Sequence, residues 1–359
     1  MADSSQKAFH TAPTLLAILA AALFGAATPA SKYLLGGMSA FHLAGLLYLG
    51  AAIAVLPLSL KSRIRVGTWK IDGKNRWRLL GAVVCGGLFG PVFLLLGLKV
   101  ASAASVSMWL NLELVATALL GRLLFHDHLG RFGWIGVIGV VASGILLSYG
   151  GGAAGLIAGG LVALACLCWG FDNHFTALID GITPAESTLW KGLTAGLVNL
   201  VIGITFQPSD VTTTTVSLGL LIGAFAYGAS IVLYITSAQQ IGATRAQMLF
   251  ATSPFFGVFL SAFVLQEPIS IVQGIAAAIL AASVGAMFID KHEHEHLHFE
   301  LEHTHSHRHD DQHHDHLHED KTEPGLRHSH KHRHTEITHS HPHWPDLHHR
   351  HQHKNDDRK

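Results

Sequence analysis

Charged and amide side chains interrupt two long apolar stretches of the sequence. Glu113 follows Asn111 in one stretch, and Asp172 is followed by Asn173 and His174 in another. A charge near the centre of a bilayer costs about 3 kcal/mol or more, so such residues usually face a wet interior or a partner. Glu113 can take a proton, contact a cationic substrate or pair with a lysine. The Asp172 cluster can line the same cavity or form a polar contact between helices.

One lysine and two tryptophans complete the candidate cavity. Lys32 ends the first apolar stretch, where it can pair with Glu113, bind an anionic substrate, or snorkel to the membrane surface. Lys191 lies near the start of another stretch, where an interfacial position is the simpler interpretation. Trp109 and Trp169 precede the two acidic positions, where they can line the cavity or serve in packing.

Histidine is concentrated at the end of the chain, since 23 of the 28 histidines fall within residues 291–359. Neutral imidazole binds Zn, Ni, Co and Cu, and nearby carboxylates add ligands. We expect a disordered, metal-binding tail, with a pH-responsive arm or a merely soluble arm as alternatives. The expected ligands are His292, His294, His296, His298, His303, His305, His307, His309, His313, His314, His316, His318, His328, His330, His332 and His334.

The rest of the chain has the composition of a membrane protein. Of the 359 residues, 49% are hydrophobic and only 13% are charged, too few charges for an ordinary soluble domain. A bilayer needs about 20 apolar residues per helix. The sequence predicts ten such spans, at 14–35, 39–60, 79–98, 102–125, 130–149, 154–179, 184–206, 216–238, 243–265 and 269–290.

Positive charge predicts the orientation of these spans. The loop between the second and third spans holds half of the Lys and Arg of residues 1–290, and cytoplasmic loops collect such charge. We therefore expect both termini in the cytoplasm and the chain in a bacterial inner membrane. The expected partners are the lipid bilayer and a small-molecule or metal substrate, with no nucleic acid, and a homodimer is allowed.

The sequence also repeats itself weakly. A shift of 140 residues places Met108 on Met248 and Ser143 on Ser283, and it aligns two short acidic loops at Asp127 and Glu267. The counterpart of the basic loop, 207–215, has no Lys or Arg. Five spans per half with opposite loop charge predict two inverted repeats, an architecture common in secondary transporters.

These residues resemble the EamA-type permeases of the drug/metabolite transporter superfamily. The resemblance is carried by LFGAATPASKYLL, by LKVASAASVSMWLNLELVATALLGRLLFHDHL, and by YGASIVLYITSAQQIGATRAQMLFATSPFFGVFLSAFVLQEPI. It implies an all-α polytopic fold with ten transmembrane helices in two inverted five-helix repeats. The repeats would span 14–149 and 154–290, between a cytoplasmic N-terminus at 1–13 and the disordered tail at 291–359. It also implies a central cavity and alternating access.

Three functions remain open from the sequence. The first is a permease for a small organic solute that needs no cofactor, with a tail that binds metal. The second is a transporter of Ni, Co, Zn or a metal complex, and the third is a membrane anchor for a metal buffer. An enzyme is not expected, because residues 1–290 lack a His-Glu-x-x-His helix, a Gly-x-Ser-x-Gly elbow and a phosphate-binding Gly-x-x-x-x-Gly-Lys-Ser/Thr loop.

Overall fold

The computed structural model describes most of the membrane body and parts of the tail. The described residues are 2–66, 71–124, 130–179, 182–207, 211–241, 249–289, 293–298, 301–307, 328–334 and 337–342. Several sequence predictions lie outside these residues. They concern Asp127 and the tail ligands His292, His309, His313, His314, His316 and His318.

The described body is entirely helical. Its α-helices are α1 (Ala2–Gly25), α2 (Ala27–Leu34), α3 (Ala40–Val66), α4 (Gly73–Ala82), α5 (Gly90–Val100), α6 (Ala103–Trp109), α7 (Leu112–Leu124), α8 (Arg131–Gly150), α9 (Gly152–Leu178), α10 (Pro184–Phe206), α11 (Thr213–Ile222), α12 (Ser230–Ile241), α13 (Ser253–Val264) and α14 (Ile271–Ile289). Two π-helical turns, Val83–Phe89 and Gly223–Ala229, join α4 to α5 and α11 to α12.

Within the part of the chain that the structure describes, eight helical segments are long and apolar enough to cross a bilayer. This finding makes the chain an integral membrane protein. Two further apolar helices, Ser253–Val264 and Ile271–Ala286, are shorter within the described residues. The eight spans are Pro13–Leu34, Ala40–Lys61, Gly73–Val100, Ala103–Leu124, Arg131–Gly150, Gly152–Thr176, Ala185–Phe206 and Thr213–Ser237.

Interruptions recur at matching places in the two halves. The π-helical turns begin at Val83 and Gly223, which are 140 residues apart. The fourth span breaks at Leu110 and Asn111, between α6 and α7, and a comparable break at 251–252 precedes α13. The sequence predicted continuous spans at both places. Because a π-helical turn bonds i to i+5, it disturbs the regular i to i+4 ladder and can redirect nearby carbonyls.

Side-chain hydrogen bonds cap the N-termini of several helices. Asp72 caps α4 by accepting a hydrogen bond from the Asn75 backbone N–H at 2.8 Å. Thr183 forms a capping box with Glu186 at the start of α10. Thr212 caps α11 in the same manner as Asp72 caps α4, 140 residues later. Such caps satisfy the free N–H groups of a helix end, which otherwise lose hydrogen bonds in an apolar setting.

Small residues allow the central helices to pack closely. α3 packs against α10 along much of its length, α5 packs on α9, and α1 packs on α12. A Cβ added to Gly45 of α3 would lie 2.8 Å from the Leu200 nitrogen and 3.0 Å from the Gly196 carbonyl oxygen. The two backbones therefore approach more closely than a larger residue would allow.

Four short segments of the tail form paired strands, while the expectation that the tail as a whole is disordered stays a prediction. Strands β1 (Glu293–His298) and β4 (Ile337–Pro342) form one antiparallel pair, and β2 (Leu301–His307) and β3 (His328–His334) form another. The physical reason lies in the pattern of the sequence. Histidines alternate with other residues in these segments, and a period of two is the period of a β-strand.

Candidate functional site

A buried ion pair joins two helices of the second half. The Lys191 ammonium lies 2.6 Å from Asp172 Oδ2, and the two side chains are 11% and 10% exposed. The Thr176 hydroxyl donates to Asp172 Oδ1 at 3.0 Å. Both oxygens of the carboxylate therefore have partners, as a buried charge requires.

The ion pair lies against the first π-helical turn at Gly86. A Cβ at Gly86 would collide with the Asp172 carboxylate, so glycine is needed for this close approach. The Gly86 carbonyl accepts hydrogen bonds from the Tyr48 hydroxyl and from Trp169 Nε1, the latter at 3.0 Å. The next carbonyl, of Gly87, accepts from Asn199 at 3.3 Å. Four spans thus meet at one irregular turn.

Glu113 lies beside this cluster, in the first turn of α7. Asn173, the neighbour of Asp172 in sequence, donates to Glu113 Oε1 at 3.0 Å and to the Thr117 hydroxyl at 3.2 Å. The His174 ring bonds the Thr117 carbonyl oxygen at 3.0 Å. The Asp172 cluster and Glu113, which the sequence assigned to one cavity, are therefore connected through Asn173.

The break before α7 places polar groups in the interior. Asn111 is 3% exposed, and its side-chain nitrogen has no hydrogen-bond partner in the described part of the chain. The carbonyls of Trp109 and Leu110 lie 3.7 and 3.8 Å from the Cys166 thiol, which can donate to either of them. Cys166 is thus a packing and capping residue of the break.

A row of aromatic rings begins at Tyr48, beside the Gly86 turn, and contains residues of both halves. The Tyr48 ring centroid lies 5.7 Å from that of Tyr227, and Tyr227 lies 5.6 Å from Phe24. Phe24 lies 5.3 Å from Phe250, which lies 5.1 Å from Tyr234. We call these five residues the aromatic row. Their spacing is that of favourable ring contacts.

Two predicted residues have roles apart from this site. The Lys32 ammonium donates to the carbonyls of Leu98 and Ala101, at 2.6 and 2.8 Å, at the end of α5. It therefore caps a helix end, where a positive charge is favourable, and does not pair with Glu113. Trp109 is 2% exposed and donates to the Gly144 carbonyl at 3.0 Å, which fastens α6 to α8.

The site also contains residues for which the sequence patterns predicted no role in it. Lys191, interpreted as interfacial, is buried two turns into α10. Tyr48 and Gly86 had no assigned role in chemistry. The position of Lys191 inside an apolar span, in the same half of the chain as Asp172, is the sequence feature that could have indicated their pairing. In the described residues no group of three or more His, Cys, Asp and Glu side chains is arranged to hold a metal ion.

Apolar spans around a buried charged site define this chain as a helical membrane protein of the transporter class. More specifically, the chain belongs to the EamA-like transporter family, whose model matches residues 12–149 and again 156–289. These two matches cover most of the membrane body. The membership supports a role in transport rather than in catalysis.

Three curated relatives carry the name of uncharacterized transporters. One from Methanothermobacter thermautotrophicus is 24% identical over 58% of this chain and 64% of its own length, so the match spans just under two thirds of that relative. One from Synechocystis is 25% identical over 73% and 85%. YyaM from Bacillus subtilis is 24% identical over 72% and 88%.

A solved crystal structure has the same fold. It superposes with a TM-score of 0.58 at 16% identity, over 78% of this chain and 98% of the other. At this identity the similarity concerns the fold alone.

Proposed function

We propose that the protein is a secondary transporter that carries a small organic solute across the membrane by alternating access. The observation that carries this proposal is the Asp172–Lys191 pair at the Gly86 turn, between helices of both halves. Burying two charges is expensive, and replacing such a pair by apolar residues is often neutral or stabilising. A transporter gains from the pair because its charges can exchange partners when a solute binds.

The proposed architecture is ten spans in two inverted repeats, with alternating access between them. Three observations support it. The π-helical turns are offset by 140 residues, helix caps at Asp72 and Thr212 have the same offset, and the family model matches twice. The basic loop between the second and third spans and its counterpart without Lys or Arg support opposite orientations in the membrane. We place both termini in the cytoplasm.

An organic cargo fits the described site better than a bare metal ion. Asp172 is bonded by Lys191 and Thr176, while Glu113 accepts from Asn173. A divalent ion needs several oxygen, nitrogen or sulfur ligands at once. The hydrogen-bonding and aromatic groups around Gly86 suit a larger, partly apolar molecule.

Transport in proteoliposomes tests the proposal. We expect saturable flux of at least one compound in a panel of labelled amines, amino acids, organic acids and nucleosides, and at least a tenfold loss of flux in Asp172→Asn. Glu186→Gln is a matched control: it also neutralises a buried carboxylate, but glutamine is an accepted residue in a capping box. Zn²⁺, Ni²⁺ or Co²⁺ flux without any organic flux would overturn the assignment, as would full activity of Asp172→Asn.

We also propose that the tail binds transition metals. Three histidine pairs support this: the backbone register sets His303 opposite His332, His305 opposite His330, and His307 opposite His328. Directly paired residues of antiparallel strands share a face, with Cβ atoms about 5 Å apart. A pair at this spacing is suited to hold one ion between two imidazoles.

Calorimetry on the full chain and on a variant without residues 291–359 tests the role of the tail. We expect Zn²⁺, Ni²⁺, Co²⁺ or Cu²⁺ to bind the full chain at pH 7.5, and the truncated variant to lose that binding while retaining organic solute flux. At pH 5.5 the binding should weaken at least tenfold, because imidazole with a pKa of about 6.5 becomes protonated. Equal metal binding by both proteins would contradict the proposal.

A further inference from the structure

The charges of the site are unbalanced. Lys191 is committed to Asp172 at 2.6 Å, and the partner that the structure provides for Glu113 is the neutral amide of Asn173. The three charged side chains therefore sum to one negative charge. A carboxylate that is partly removed from water and has no opposite charge is costly, so the site favours either a proton or a cationic ligand at Glu113.

The aromatic row begins at the turn around which these charges lie. Tyr48, its first member, donates to the Gly86 carbonyl, and a Cβ at Gly86 would touch the Asp172 carboxylate. Tyr227 is 4% exposed, whereas Phe24, Phe250 and Tyr234 are only partly buried. Partly buried rings at a site with an uncompensated carboxylate offer apolar surface and negative ring faces to a ligand. Both features attract an organic cation.

We propose that the solute is a monovalent organic cation, a protonated amine or quaternary ammonium with an apolar or aromatic body. Its charge binds at Glu113 and its body lies on the aromatic row. An anion would face a site of like net charge. A zwitterion would have to displace Asp172 from Lys191 with its carboxylate, whereas a cation at Glu113 leaves that ion pair intact. This inference rests on the proposed transport function and specifies the substrate class of the same site.

The Asn173 contact makes Glu113 suitable for a charge test. Gln at position 113 keeps an oxygen that can accept from Asn173, while it removes the negative charge. Glu186→Gln again serves as the control, because it removes one buried negative charge at the start of α10. Any shared loss would therefore report on folding rather than on the ligand.

The experiment compares four compounds with one phenylalkyl body by calorimetry and by flux in proteoliposomes. The compounds are 2-phenylethylamine as the cation, phenylalanine as the zwitterion, 3-phenylpropionate as the anion, and 2-phenylethanol as the neutral form. We expect 2-phenylethylamine to bind at least tenfold more tightly than each of the others. In Glu113→Gln this preference should fall to less than twofold, while Glu186→Gln retains it.

A second comparison tests the aromatic row and protects the result against a misfolded variant. In the wild-type protein, tetramethylammonium, a cation without an apolar body, should bind at least tenfold more weakly than 2-phenylethylamine. Tyr227→Leu should weaken 2-phenylethylamine binding at least fivefold. Preferred binding of phenylalanine or phenylpropionate would overturn the inference. Selective flux of phenylalanine or phenylpropionate would also overturn the inference, but it would support the transport function. Cation binding without flux of any compound would overturn the transport function and leave the substrate class in place.

Discussion

The Lys191 ammonium lies 2.6 Å from Asp172 Oδ2, with about a tenth of each side chain exposed. These residues come from α9 and α10, which are consecutive along the chain and both contact the π-helical turn at Val83–Phe89. The pair therefore links two consecutive helices of the second half to an irregular turn of the first half. A solute that competes for either charge would act on helices of both halves.

Breaking the ion pair should cost more than removing it. Lys191→Met leaves a buried, unpaired carboxylate and should destabilise the protein by about 3 kcal/mol. The double variant Asp172→Asn with Lys191→Met should recover at least half of that loss. Thermal unfolding followed by fluorescence-detected size exclusion measures both, and equal losses in the single and double variants would show that charge pairing is unimportant.

Gly86→Ala should disrupt the site although it adds only one methyl group. The new Cβ would overlap the Asp172 carboxylate and push it away from Lys191. We expect at least a tenfold loss of solute flux. Gly160→Ala is the matched control, because a Cβ there meets nothing within 4 Å and alanine is favoured in helices. Wild-type flux in Gly86→Ala would show that the close approach is dispensable.

Glu267 should affect stability and leave ligand preference unchanged. Its two carboxylate oxygens accept from the Ala103 and Ala104 backbone nitrogens, at 3.0 and 3.1 Å, at the start of α6. Glu267→Ala should cost about 1 kcal/mol through loss of this cap, and Glu267→Gln less, since one acceptor remains. Thermal unfolding measures the cost. A changed order of ligand affinities in calorimetry would refute a purely structural role.

Inverted repeats predict opposite accessibility for two matching positions. Lys74 and Thr214 are both exposed and are 140 residues apart. In a background where Cys85, Cys166 and Cys168 are alanine, Lys74→Cys should react with an impermeant maleimide only from the cytoplasmic side. Thr214→Cys should react only from the other side. Labelling of both cysteines from one side would exclude the inverted arrangement.

Part of the site could be read from the sequence. Glu113, Asp172 and Asn173 stood out because a charged or amide side chain inside an apolar span is rare, and the structure brings these three together. Lys191 was undervalued because it lies only a few residues from a span boundary, where a lysine ordinarily reaches the surface. The rotation of α10 decides whether such a side chain faces lipid, water or Asp172, and hydropathy does not record that rotation.

The sequence by itself determined the class of the protein. The number of apolar stretches, the family resemblance and the weak 140-residue repeat all follow from local composition and spacing. Composition is sufficient for the class because the thickness of the bilayer sets the length of apolar sequence that a spanning helix needs. Only the tertiary structure decided that Lys32 caps α5 while Lys191 pairs with Asp172, because both lysines could have balanced a buried carboxylate. Which one does so depends on distances between helices far apart in sequence, and those distances are set by packing around glycines such as Gly86.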